Sequence, residues 1–298
     1  MPPLTGFRAT FRCLRDVEMD FTSPEDGKPS PFIAMVGPNG AGKTTVLEAV
    51  ASAIHHLVNR AGNMEGLRDS ELIALQFREG KLGYIQQRII VESPGVNWIP
   101  LSEDLVRTLY IRSGYLPIMP AGKPLQGGSA SGMGVGLALL PLDANGVQRR
   151  IDAVHQWWLH LHWEYPKTTT LDRLWAAMKP FLGDLVYAGV NPQDHLPWFD
   201  ARGTRVSFNE LSSGQRRLIL LFLEIVMQCG EDGLVLFDEP EAHFHPIWQE
   251  MLPEALCRLV PRGQVIVATH APHIVEGLPT HQVFVLGELP WERTSVVE

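Results

Sequence analysis

The sequence predicts an α/β fold with a mixed sheet and an inserted, mainly helical subdomain, and three observations carry that expectation. Phe32 to Val36 is an unbroken apolar run that ends in Gly37 and leads through a glycine-rich loop into a helix-spaced segment. The last third of the chain alternates regularly between helical and strand patterns, as a parallel sheet requires. Leu4 to Phe21 instead alternates apolar with polar side chains, the mark of antiparallel strands.

Leu4 to Phe21 reads as two strands around Arg12 to Arg15, and Pro24 to Pro31 as a turn. Phe32 to Val36 lacks alternation, so it is expected to be covered on both faces of a sheet. From Thr44 to Leu57, Val46, Leu47, Val50, Ile54 and Leu57 fall at helical spacing. Leu72 to Val91 returns to short strands, of which Leu82 to Val91 is the clearest. Gly122, Gly127, Gly128, Gly132, Gly134 and Gly136 disfavour a helix between Pro117 and Gly146 and predict a surface loop.

Gln148 to Leu185 is helical in character, with a second segment from Leu171 to Phe181. Trp157, Trp158, Trp163 and Trp175 lie there, either as core or as an exposed docking surface. No heptad run is present, so no long coiled-coil arm is expected. The remaining elements are a helix from Ser212 to Gln228, a strand Leu234 to Phe237, a helix Pro246 to Leu259, and a strand Gln264 to Ala268. A helix near Pro272 and a strand from Gln282 to Leu286 complete the series.

At 298 residues the chain can bury a sizeable core. One elaborated domain over residues 1–298 is expected, with 93–204 as an inserted loop and helical subdomain, because the motifs described below stretch from Gly37 to His270. Hydrophobic residues at 45% and charged residues at 19% fit a soluble globular protein and not a disordered one. No stretch reaches the roughly 18 uninterrupted apolar residues of a membrane span, and Arg8, Arg12 and Arg15 near the amino terminus do not resemble a signal peptide. A cytoplasmic location is expected, with no membrane partner. The formal charge of −8 gives no support to general nucleic-acid coating. Cys13, Cys229 and Cys257 are widely spaced and are expected to be buried free thiols.

Gly37, Pro38, Asn39, Gly40, Ala41, Gly42, Lys43, Thr44 and Thr45 match the G-x-x-x-x-G-K-[ST] spacing of a phosphate-binding loop between strand and helix. The glycines let backbone N–H groups curl around phosphate oxygens, and the following helix adds its positive end. Lys43 is expected to reach the β and γ phosphates of ATP, and the Thr44 hydroxyl to ligate Mg²⁺. The strand from Leu234 ends in Asp238 and Glu239. Asp238 is expected on the Mg²⁺ shell and Glu239 as general base toward the attacking water. His243 and His245 are expected in interface or helix-start roles and not as a metal pair.

LSSGQ, Leu211 to Gln215, resembles the signature motif of ABC-type ATPases, and THAPH, Thr269 to His273, resembles their switch-histidine region. The resemblance implies a P-loop NTPase of the ABC-ATPase head type. It implies that Ser212, Gly214 and Gln215 meet the γ phosphate held by a second copy, closing an ATP-sandwich homodimer, although Ser213 replaces the more usual glycine. It implies that His270 contacts the γ phosphate and steadies the water. LGYIQQ, Leu82 to Gln87, is similar to the glutamine-loop string, which implies Gln87 as a further Mg²⁺ contact, with Gln86 and Gln76 as competitors.

The long stretch between Lys43 and Leu211, together with DEPEAHFHP, ATHAPHIV and TFRCLRDVEMDF, resembles the soluble SMC, RecF and OLD-like branch rather than transporter subunits. The resemblance covers about residues 1–90 and 205–288. It implies an ATPase that regulates a partner protein, a nuclease in an antiphage defence complex. A DNA-binding clamp in repair is the alternative, and a transporter subunit ranks behind both.

Overall fold

The computed structural model describes residues 3–59, 72–77, 80–85, 88–92, 108–111, 169–191, 193 and 197–287. The elements are β1 (Leu4–Phe11), β2 (Leu14–Asp20), β3 (Phe32–Val36), α1 (Lys43–Asn59), β4 (Leu72–Phe77), β5 (Gly80–Ile85), β6 (Arg88–Glu92) and β7 (Thr108–Ile111). They continue with α2 (Thr169–Leu182), β8 (Leu185–Val190), β9 (Pro197–Ala201), β10 (Thr204–Ser207), α3 (Ser213–Cys229) and β11 (Leu234–Asp238). The last are α4 (Pro246–Leu259), β12 (Gln264–Thr269), α5 (Pro272–Val275) and β13 (Val283–Val285).

A parallel sheet of order β13-β3-β12-β11-β7 forms the centre. Each of its three middle strands is buried along its whole length, because both faces are covered. Phe32, Ala34, Val235, Phe237, Val265 and Val267 point to one core, which also takes α2, α3 and α4. Ile33, Met35, Leu234, Leu236, Ile266 and Ala268 alternate to the other, which takes α1 and the antiparallel sheet. The helices α1 and α3 therefore lie on opposite faces of the central sheet. This separation governs what their amino-terminal ends can reach.

The antiparallel sheet has order β2-β1-β4-β5-β6, with Phe7, Ala9 and Phe11 of β1 turned into the core. Leu82 to Val91 is not one strand. It is split between β5 and β6, paired from Lys81 with Glu92 to Ile85 with Arg88, because reversing the chain gives each half a backbone partner. A third sheet, β10-β9-β8, follows α2 and has no counterpart in the sequence expectation. Arg202 at φ 54° and Gly203 at φ 85° make its tight turn between β9 and β10.

Within residues 93–204, the described parts are tied into this scaffold. The strand β7 pairs in parallel with β11, and α2 buries Leu174, Ala177, Met178, Phe181 and Leu182 against α3 and α4. Trp175 packs on Phe199 and Tyr187, with ring centroids 6.2 and 6.4 Å away, so it is a packing residue. Trp157, Trp158, Trp163 and the glycine-rich stretch lie outside the described residues. No helix among the described residues is long and apolar enough to cross a membrane.

Candidate functional site

The carboxyl ends of β3, β12 and β11 lie side by side, and each delivers part of one site. After β3 the chain turns sharply at Gly37, where any Cβ would sit 2.0 Å from the Leu286 carbonyl oxygen. Gly42 has φ 97°, and a Cβ there would meet Leu14 at 2.8 Å, so the β1–β2 hairpin closes onto the loop only because this position is bare. The Lys43 side chain is buried, and its ammonium donates to the carbonyls of Gly37 at 2.8 Å and Pro38 at 3.0 Å. A phosphate oxygen entering the loop would replace one of these acceptors.

Thr44, in the first turn of α1, and Asp238, the last residue of β11, meet across the end of β12. The Thr44 hydroxyl lies 3.0 Å from both carboxylate oxygens, and Asp238 is almost wholly buried. A hydroxyl and a carboxylate are hard oxygen ligands, and Mg²⁺ is held by one or two such groups beside substrate phosphates, so the pair fits that ion. Glu239 follows in left-handed backbone, φ 49° and ψ 58°, and its N–H donates to Ala268 at 2.8 Å. That conformation turns the chain out of the strand at the point where a general base is expected.

His270 follows β12 directly, with its side chain about half exposed. Glu241, which sequence reasoning missed, is 8% exposed and holds this segment. It accepts from the His270 backbone N–H at 2.8 Å and from the Thr269 hydroxyl at 2.7 Å, and the His270 Nδ1 lies 2.9 Å away. Gln249 of α4, also buried, donates to the carbonyls of Phe244 at 2.9 Å and Glu241 at 3.4 Å and so anchors the loop that carries Glu241. The local signal was a glutamate in the first turn after Asp-Glu-Pro, but its partners stand in another strand.

Ser212 caps α3. Its hydroxyl accepts from the Gln215 N–H at 3.2 Å, while the Gln215 side chain accepts from the Ser212 N–H at 3.0 Å. Gln215 is thereby committed to shaping the helix start. Ser212 and Ser213 are exposed, and Gly214 lies over Trp248. Because α3 sits on the sheet face opposite α1, the structure does not bring Ser212, Gly214 and Gln215 into the cluster of Lys43, Thr44, Asp238, Glu239 and His270. Gln87 falls between β5 and β6, outside the described residues, and Gln76 is exposed at the end of β4.

His245 caps α4, its Nδ1 3.4 Å from the Ile247 N–H, which is a helix-start role. The three cysteines are free but not all buried. Cys13 is exposed at the hairpin tip with its sulfur 3.3 Å from the Thr45 hydroxyl, since the hairpin turn places it against the loop. Cys257 is mostly buried, and burial pushes its thiol up to about 11.

A phosphate loop after one parallel strand, an acidic pair after another and a capped helix on the far face give the chain an ABC-like P-loop NTPase fold. The heads of SMC proteins share the fold. One head bound to the C-winged helix domain of ScpA and one from Thermotoga maritima each align over 92% of this chain and 91% of theirs, with TM-score 0.50 and 14% and 15% identity. Residues 145–276 match the family described as AAA domain, putative AbiEii toxin, Type IV TA system, and residues 9–93 match a second AAA-domain family. The chain is thus similar to AAA-domain proteins over these two stretches and carries the fold of an SMC head.

Among curated relatives, the Septu protein PtuA of Bacillus mycoides is 23% identical over 93% of this chain and 39% of its own length. The retron Vc95 probable ATPase of Vibrio cholerae is 27% identical over 39% of this chain and 25% of its own. Protein ea59 of Escherichia phage lambda is 25% identical over 94% of this chain and 54% of its own. The chain thus spans well under two thirds of the length of these relatives.

Proposed function

We propose that this chain binds and hydrolyses ATP with Mg²⁺ and closes as an ATP-sandwich dimer. In this reading it regulates a partner protein in the cytoplasm, a nuclease effector of an antiphage defence complex. The observation that carries the ATPase reading is the Thr44 hydroxyl 3.0 Å from both Asp238 oxygens at the mouth of a phosphate loop. The pair joins chain segments 194 residues apart and offers the hard oxygen ligands that Mg²⁺ beside a triphosphate takes. The Septu and retron names among the relatives support the defence setting.

The N–H groups from Gly40 to Thr45 and the positive end of α1 bind the phosphates, and Lys43 exchanges a loop carbonyl for a phosphate oxygen. Thr44 and Asp238 would hold Mg²⁺, which would supply charge neutralisation to the triphosphate. Glu239 accepts a proton from water as the water oxygen bonds the γ phosphorus, and the bond to the ADP oxygen breaks. His270 contacts the γ phosphate. Ser212 and Gly214, on the far face of their own sheet, act on the nucleotide of the other copy. Residues 93–204, treated as one inserted unit of a single domain, carry the partner contact.

Phosphate release from purified protein tests the catalytic part: Glu239→Gln should bind ATP and turn it over at least about 100-fold more slowly. Undiminished turnover would remove Glu239 from the mechanism. Pull-down of the tagged chain from its native host tests the partner, and recovery of no nuclease would contradict that part of the reading.

A further inference from the structure

We propose that Glu241 is a positioning residue that fixes which nitrogen of His270 meets the nucleotide and holds the loop after β11 to the end of β12. The proposal rests on the ATPase reading above. A single carboxylate organises three consecutive residues: Oε1 accepts the His270 backbone N–H at 2.8 Å and lies 2.9 Å from Nδ1, while Oε2 accepts the Thr269 hydroxyl at 2.7 Å. The Thr269 oxygen in turn accepts from the Ala271 N–H at 3.0 Å. Binding both the backbone and the ring of His270 through one oxygen restricts its side-chain rotation as well as its ring orientation.

A neutral imidazole carries one N–H and one lone pair. A carboxylate can only accept, so its approach to within 2.9 Å favours the tautomer with the proton on Nδ1. Nε2 is then the nitrogen left to face the site, and the half-exposed ring has room to present it. Glu241 itself is 8% exposed, and its backbone is anchored by Gln249, so the support is rigid. Since Glu241 stands two residues past Glu239 and His270 one past Thr269, any shift of the loop after β11 moves both the expected base and His270 together.

The test compares Glu241→Ala, Glu241→Gln, His270→Ala and the Glu241→Ala/His270→Ala pair, alongside nitrogen NMR of histidine-labelled protein with the imidazole neutral. Glu241→Ala should lower kcat by about 10- to 100-fold with KM for ATP little changed, the scale on which supporting partners of site residues act. The double variant should be no slower than His270→Ala alone, because both changes remove one function. Glu241→Gln keeps an acceptor oxygen for His270 and should recover most of the loss; equal loss in both variants would place the effect in charge and overturn the positioning role. The spectrum of the wild type should show His270 protonated on Nδ1, a preference lost in Glu241→Ala. An Nε2-protonated His270 in the wild type, or full activity in Glu241→Ala beside an inactive His270→Ala, would also overturn it. Absence of ATP turnover in the wild type would contradict the ATPase reading, while the NMR measurement, which needs no turnover, would still decide whether Glu241 holds His270.

Discussion

Glu239 occupies left-handed backbone, a region where a side chain other than glycine costs roughly 1–2 kcal/mol. Such strain at a strand end is tolerated where the surrounding structure fixes it, here through the N–H bond to Ala268. Glu239→Gly should therefore raise stability by roughly 1 kcal/mol, read from urea unfolding, while abolishing turnover. Glu239→Gln keeps the strained backbone and should unfold within about 0.5 kcal/mol of the wild type. A destabilised glycine variant would show that the conformation carries no strain. Asp238 and Glu239 were legible because they end an apolar strand. Glu241 was not, since its partners Thr269 and His270 lie 28 and 29 residues away and only the fold brings them together.

At the scale of elements, the start of α3 is set by the reciprocal pair Ser212 and Gln215. Gln215→Ala removes one of the two bonds and should cost about 0.5–1 kcal/mol of stability by urea unfolding, without loss of ATP binding. Loss of binding in the isolated subunit would show instead that Gln215 touches nucleotide in its own chain. Ser212→Arg should spare ATP binding and block turnover, measured by fluorescent-nucleotide titration and phosphate release; unaffected turnover would count against action across the dimer. The strand β3, its loop and α1 could be read from sequence because their signals are contiguous. The β8–β10 sheet escaped notice because its strands are only four to six residues long and lean on distant partners. The Gly80 to Glu92 hairpin was read from Leu82 as one strand because no glycine or proline stands between Ile85 and Ile89 to mark its turn.

Across the whole molecule, α2 joins the parts of the chain. Phe181 meets Phe222 of α3 at 5.5 Å and Trp248 of α4 at 5.7 Å, both edge-on, and Arg173 pairs with Glu231 at the far end of α3. Phe181→Ala should cost about 3–5 kcal/mol in the same urea measurement, and a change under about 1 kcal/mol would mean that α2 is not part of the cooperative unit. The two-sided central sheet places α1, which follows the phosphate loop, and the capped helix α3 on opposite faces, and the proposed cycle uses that separation by having the start of α3 act on a second copy. The resemblance of LSSGQ to the ABC signature implied a second copy, but the separation itself is a property of the folded sheet.

The most direct test of that cycle is the mass in solution of Glu239→Gln by light scattering with ATP and Mg²⁺, compared with ADP, under conditions where binding of each nucleotide is confirmed. The expected result is twice the mass of one chain with ATP and a shift toward a single chain with ADP. A single-chain mass with bound ATP would contradict it.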